Sequence, residues 1–151
     1  MADHERELGP IDITVIGYPA GSPMTGEALP LLMDLVERGT IRILDVLFVA
    51  KDENGMYTGF EAKQLDDKGV GDLSVFEGAS SGLLSDSDAE TAAEALQPGE
   101  AGAVIVYENT WAAHFAAAVR RNGGILLANQ RVPHEEVVAA LEAAEVAEAT
   151  V

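Results

Sequence analysis

Two stretches of the sequence resemble each other, LMDLVERGTIRIL at 32–44 and FAAAVRRNGGILL at 115–127. Each combines an amphipathic helical pattern with the apolar run that follows it. Strand-like runs precede the two helices, at 11–18 and 102–108, and the second unit closes with a strand predicted at 125–132. The chain is therefore predicted to contain a duplicated βαβ unit. Two such units in a chain of this size predict a ferredoxin-like α+β sandwich, with helices packed on a mainly antiparallel sheet.

The length of 151 residues suits a single domain that can bury a core. We predict a flexible amino terminus (1–8), one α+β domain (9–144) made of repeat one (11–62), a variable acidic and glycine-rich middle (63–84) and repeat two (85–144), and a frayed tail (145–151).

Local signals support several of these elements. Asn54-Gly55 between apolar flanks is typical of a two-residue hairpin with a type I′ turn, which needs two positive φ angles. Ser85, with Asp88 three residues later, predicts a capping box that starts a helix ending before Pro98. The last helix is predicted from 133 to 144.

The long strand predicted at 40–50 is apolar on both faces. Regular alternation places Ile41, Ile43, Leu47 and Val49 on one side and Leu44, Val46 and Phe48 on the other. A two-layer sandwich normally leaves one face of its sheet polar. The second face therefore needs a cover, either from the middle segment or from another subunit. We favour a homodimer or higher oligomer that associates through the sheet face.

The composition limits the classes of partner. The chain carries 26 acidic residues against nine basic ones, a formal net charge of −17. Such a surface repels phosphate backbones and anionic lipid headgroups, so we expect no nucleic-acid partner and no membrane binding, while an unknown protein partner stays open. The charged start MADHERELGP is not a secretory signal, and no apolar run approaches bilayer length, so we expect a cytoplasmic protein.

The segment YENTWAAHF concentrates the chemically capable side chains of the sequence. A candidate ligand pocket at this strand-to-helix corner (107–114) would be lined by Glu108, Asn109, Trp111 and His114, with Glu27 added from the equivalent turn of the first repeat. The amino terminus of the helix could receive an anion there. A Glu–His pair can move protons, but no nucleophile or electrophile-stabilising group accompanies it. We therefore assign no catalytic residues.

The same corner is also explained as an ordinary helix start. Asn109 or Thr110 would cap the helix by accepting a hydrogen bond from its first turn. Trp111, Phe115 and Ala118 recur at i, i+4 and i+7, which predicts an inward-facing stripe.

Cofactors are not expected. The sequence contains no cysteine, which excludes disulfides, thiolate nucleophiles and cysteine-based zinc sites. Its three histidines, His4, His114 and His134, are widely separated and fit no metal-binding motif. The glycine-rich loops lack the spacing or the lysine of phosphate-binding loops. We predict neither a metal nor a cofactor.

Arg42 and Asp45 are charges within an otherwise apolar strand, on opposite faces if the strand is regular. In one interpretation, one faces an edge and the other bonds to a neighbour such as Arg131. In the other, one of them makes an inter-subunit ion pair that fixes the register of an oligomer.

VERGTIRILDVLFVAKDENG, GLLSDSD, LQPGEAGAVIVYENTWA and VRRNGGILL together resemble an actinobacterial family of small soluble proteins of unknown function. The same landmarks are similar to a related bacterial family described as membrane proteins of unknown function. The resemblance covers about residues 9–142 and brings no activity or catalytic residues. The chain departs from the membrane family at 63–84, where it carries charges that would be unfavourable in a bilayer.

Two functions therefore stand side by side. The first is a soluble self-associating module with a non-catalytic regulatory or protein-interaction role. The alternative is a small-ligand-binding protein or minor enzyme that uses the pocket at the 107–114 corner. A membrane-adjacent role rests only on the resemblance.

Overall fold

A computed structural model describes residues 8–23, 26–62, 74–128 and 130–149 of the protein. Its helices and strands are, in chain order, β1 (Ile11–Tyr18), α1 (Ala28–Glu37), β2 (Arg42–Lys51), β3 (Tyr57–Phe60), α2 (Asp86–Ala95), β4 (Ala101–Glu108), α3 (Ala113–Arg121) and α4 (His134–Ala149), with short 3-10 turns at Ser74–Phe76 and Thr110–Ala112. The strands form one antiparallel sheet in the order β1-β4-β2-β3. The predicted α+β class and the mainly antiparallel sheet are confirmed.

The sheet is covered on both faces by different helices. Val46 and Leu47 of β2 point to opposite faces, as do their partners on β4. One face packs under α1 and the turn at 74–76, whereas the other packs under α2. Because two helices supply the two covers, β2 and β4 can be apolar on both sides. The order β-α-β-β-α-β through β4 agrees with a ferredoxin-like chain, but α1 and α2 lie on opposite faces of the sheet.

Strand β2 is irregular, which changes the faces assigned by simple alternation. Its register against β4 shifts between Ile43 and Asp45, so Leu44 is an additional residue. Beyond this point the alternation is inverted. Ile43 therefore shares the α1 face with Val46 rather than the opposite face with Leu47. The prediction that Ile43 and Leu47 point the same way is wrong for this reason.

The hairpin between β2 and β3 is confirmed, but its predicted turn type is wrong. Among the described residues of this turn only Gly55 has a positive φ, of 85°, so Asn54 does not supply the second one. The Asp52 carboxylate holds the turn instead. Its Oδ1 accepts hydrogen bonds from the backbone N–H groups of Asn54 and Met56, each at 2.9 Å.

Both ends of α2 are fixed by side chains. The predicted capping box forms, with the Asp88 carboxylate accepting the Ser85 backbone N–H at 2.8 Å. At the other end, Lys51 Nζ donates to the carbonyls of Ala93 and Leu96 at 2.9 and 3.0 Å. A cation at the carboxyl end of a helix satisfies terminal carbonyls and complements the helix dipole, so α2 is fastened to β2.

The chain beyond α3 differs from the prediction. No strand forms among the described residues of 125–132, and Leu127 is 90% exposed. The described residues therefore do not complete the second βαβ unit. Helix α4 extends to Ala149, past the predicted end at 144, and contains no buried residue. We refer to residues 122–149 as the arm and to residues 8–121 as the body.

Candidate functional site

The corner predicted as a pocket is where β4 ends beside the start of β1 and β2. Glu108, the last residue of β4, is paired in register with Ile11 on one side and Arg42 on the other. Its side chain is only 2% exposed. Oε1 accepts a hydrogen bond from Arg42 Nε at 2.9 Å, and Oε2 accepts one from the Gly9 backbone N–H at 2.9 Å. Both carboxylate oxygens are thus engaged inside the protein.

This arrangement explains why a carboxylate is tolerated at a buried position. A buried charge is destabilising unless it is paired and hydrogen-bonded, and Glu108 has both a cationic and a backbone donor. The interaction joins the segment before β1 to β2 through the end of β4. Glu108 therefore fastens three parts of the chain, and it has no free oxygen directed at a ligand for acid–base chemistry.

Asn109 also links the end of β4 to the segment before β1. Its backbone N–H and its Nδ2 both donate to the Pro10 carbonyl, at 2.8 and 3.1 Å. Nδ2 also donates to Asp12 Oδ2 at 2.9 Å, while Oδ1 accepts from Trp111 Nε1 at 3.3 Å. The side-chain cap predicted for the helix does not form, because the Asn109 Oδ1 accepts from the Trp111 indole instead and the Thr110 hydroxyl makes no hydrogen bond with the described residues.

Position 9 requires a glycine, because the backbone before β1 passes very close to the backbone that follows β4. A Cβ at this position would overlap the Asn109 carbonyl oxygen and lie 3.3 Å from the Ala113 backbone nitrogen. The chain before β1 therefore runs in backbone contact with the turn that follows β4. Only a residue without a side chain fits there.

A hydrogen-bonded chain leads from this corner to the arm. Asp12 Oδ2 accepts from Arg131 at 3.1 Å, and the same guanidinium donates to the Tyr107 hydroxyl at 2.8 Å. Thr14 Oγ1 donates to that hydroxyl at 3.3 Å. Arg131 thus contacts β1 and β4, and not Asp45 as one interpretation suggested.

The inward-facing stripe predicted for α3 is wrong. Trp111 is 67% exposed and Phe115 is 73% exposed, whereas the buried positions are Ala112, Ala113 and Ala117. Two features explain the reversal. The turn at 110–112 is 3-10 rather than α-helical, which changes the phase of the side chains. In addition, the close approach at Gly9 leaves room only for small side chains on the inner face.

The five predicted pocket residues do not all come together. Glu108 and Asn109 share the corner, while Trp111 and His114 are exposed on its outer side. Glu27 precedes α1, whose opposite end leads into β2 beside Glu108. A helix of 10 residues is about 15 Å long, so Glu27 lies well away from this corner.

Arg42 and Asp45 lie on the same face because of the irregularity in β2, contrary to the expectation for a regular strand. They are engaged with different partners. Arg42 pairs with Glu108, while Asp45 accepts the backbone N–H groups of Val46 and Leu84, each at 2.9 Å. Within one chain they are structural, and their role in an inter-subunit ion pair stays a prediction.

A cavity of about 740 Å³ lies elsewhere, beside Asp45 and Phe76. Its wall includes Ala62 and Ser74, which flank residues 63–73, outside the described part of the chain. We assign no ligand to this cavity. Among the described residues no group of three or more His, Asp or Glu side chains could hold a metal ion.

Sequence reasoning missed the exposed apolar surface. Ile11, Ile13 and Val15 of the edge strand β1 are exposed on one face, and Ile125, Leu126 and Leu127 of the arm are exposed as well. The signal was present, since β1 alternates without a polar residue at 11, 13 and 15. What could not be foreseen is that β1 lies at the edge, beyond the reach of α2.

These features define an α+β protein with a four-stranded antiparallel sheet and no assembled catalytic set among its described residues. Residues 7–150 match the Family of unknown function (DUF6325), and the chain belongs to that family. No curated protein and no solved structure matches the chain significantly. None of the described helices is long and apolar enough to cross a membrane.

Proposed function

We propose that this protein is a soluble self-associating module with a non-catalytic, regulatory or protein-interaction role. The observation that carries the proposal is the row of Ile11, Ile13 and Val15 on the open edge of the sheet, with Ile13 63% exposed. An apolar row on an unpaired edge strand is a surface that proteins normally cover, because it templates association. We propose that another copy of the chain covers this apolar row.

Charge decides what kind of contact can hold two copies together. Each copy carries a net charge of −17, so two copies repel at long range. Association must therefore come from apolar burial and backbone hydrogen bonds. Since salt screens the repulsion and leaves apolar burial intact, the association is expected to strengthen with ionic strength.

The chemistry of the corner supports the non-catalytic part. Both oxygens of Glu108 and the amide of Asn109 are engaged within the chain. The ligand-pocket alternative needs these groups to face a ligand, and Glu27 lies at the far end of α1. We also propose a cytoplasmic location and actinobacterial relatives for this protein. The order of the elements supports a kinship with ferredoxin-like sandwiches, whereas the placement of α1 and α2 on opposite faces of the sheet departs from that fold.

Sedimentation velocity over a range of protein concentrations tests self-association. The full chain is expected to be a dimer or higher oligomer, and Ile13→Asp, which places a charge in the apolar row, is expected to be monomeric. Thr58→Asp is the matched control, because it adds the same charge to an exposed position on β3, the other edge strand. A monomeric parent chain at all concentrations, or an Ile13→Asp variant that associates like the parent, would contradict the proposal.

A further inference from the structure

The two edges of the sheet differ in their suitability for an added strand. β1 has eight residues, is hydrogen-bonded to β4 alone and carries the exposed apolar row. β3 has four residues, including exposed Thr58 and Gly59. An added strand gains backbone hydrogen bonds along the whole length of the edge and apolar contacts at alternate residues. β1 is therefore the edge that can accept a strand.

The arm contains a segment with the properties of such a strand. Residues 125–132 have a strand-forming pattern and match the eight residues of β1 in length. The described part of this segment forms no strand, and Ile125, Leu126 and Leu127 are all exposed. Among the described residues, this apolar segment thus lies outside the sheet, and the β1 edge has no strand beside it.

We propose that residues 125–132 of one copy add to the β1 edge of a second copy as a fifth strand, and that two copies exchange these segments reciprocally. This inference rests on the proposed function and names how the association is built. A closed two-fold exchange pairs every donor segment with an acceptor edge and leaves neither open.

The hydrogen bonds that already join the arm to the body support the pairing of residues 125–132 with β1. Within one chain the Arg131 guanidinium bonds to Asp12 of β1 and to the Tyr107 hydroxyl. An exchanged segment can make the same contacts with the second copy, because exchange replaces an internal interaction by its equivalent between copies. Arg131 is exposed, and an exposed ion pair contributes little, so giving up the internal pair is a small loss.

Charge favours residues 125–132 over the rest of the arm as the donor. This segment contains Arg131 and no acidic residue, whereas residues 133–149 contain five glutamates and neither Lys nor Arg. This segment is attracted to an acidic second copy, whereas most other surfaces of two copies repel each other.

Exposed apolar side chains of the two surfaces can meet in such a strand pair. Ile11, Ile13 and Val15 share one face of β1, and Ile125 and Leu127 would share one face of an extended segment. Their contacts would add to the backbone hydrogen bonds along the eight-residue edge.

Cross-linking between copies tests the exchange directly, because the natural chain has no cysteine. Thr14→Cys on β1 and Leu126→Cys in the arm are prepared as separate full-length chains, one of them isotopically labelled. The two are mixed, allowed to exchange, treated with a short bismaleimide and analysed by mass spectrometry. The control pair is Thr58→Cys on β3 with the same Leu126→Cys chain.

The expected result is a covalent Thr14→Cys–Leu126→Cys heterodimer in roughly tenfold or higher yield than the control pair, as effective concentration requires. If sedimentation shows dimers but this link forms no better than the control, strand exchange is wrong while self-association stands. A further variant carries both Thr14→Cys and Leu126→Cys in one chain, and if it is cross-linked only within that chain, the exchange is also overturned. A monomeric parent overturns both proposals.

Discussion

The body and the arm of this protein are stabilised in different ways. All the buried residues among those described lie at or before Ala117, within the body. There Phe76 meets Phe48 edge to face, with ring centroids 5.6 Å apart. The arm, in contrast, has the isoleucine and leucines of 125–127 exposed and a 16-residue helix without a buried side chain. A helix of that length is marginal in water without packing, so helix propensity alone contributes little to the stability of the arm.

The largest expected effect distinguishes two phenylalanines of the body. Phe76→Ala removes a buried ring and is expected to lower the free energy of unfolding by about 3–5 kcal/mol, whereas Phe115→Ala, at an exposed position, changes it by less than about 0.5 kcal/mol. Urea unfolding monitored by circular dichroism at low protein concentration measures both. Equal losses would mean that Phe115 is part of the core of the single chain.

The corner at Glu108 is expected to belong to the stable body. Arg42→Leu leaves the buried carboxylate without its cation and should destabilise the protein by about 3 kcal/mol. Arg38→Leu is the control, since it removes only the exposed pair with Asp34, worth about 0–0.5 kcal/mol. Thermal unfolding of both variants checks the difference. Similar stabilities would show that the Arg42–Glu108 pair does not hold the corner.

A smaller effect is expected at the backbone contact before β1. Gly9→Ala introduces a Cβ into the Asn109 carbonyl and should destabilise the protein by about 1–3 kcal/mol. Gly59→Ala makes only ordinary contacts, the closest at 3.8 Å, and should be nearly neutral. Comparing the two urea midpoints isolates the steric clash. A neutral Gly9→Ala would mean that residues 8–10 are not fastened to the corner.

Local sequence signals predicted the regular part of the body well. Strand β1, the β2–β3 hairpin and the Ser85–Asp88 capping box all depend on near neighbours in the chain. The additional residue at Leu44 and the 3-10 turn before α3 could not be predicted, because they follow from the register of β2 against β4 and from the close approach at Gly9. These two features reversed the assigned faces of Ile43, Trp111 and Phe115.

The candidate site was predicted only in part, for a similar reason. The sequence placed Glu108 and Asn109 together. It could not show that Arg42 and the Gly9 backbone N–H would donate hydrogen bonds to the two oxygens of the Glu108 carboxylate. The strand predicted at 125–132 is the opposite case, since its apolar start at 125–128 is a local signal, yet none of its described residues joins the sheet although β1 leaves an edge open. In the proposed exchange, the β1 edge of a second copy receives it.

Hydrogen exchange of the arm at increasing protein concentration tests this account most directly. The backbone amides of residues 125–128 should exchange rapidly in dilute protein and become protected as dimers form, while those of β4 stay protected throughout. The Ile13→Asp variant should keep the arm amides unprotected at every concentration. If 125–128 exchange at the same rate in dilute and concentrated protein although dimers are present, strand addition between copies is contradicted.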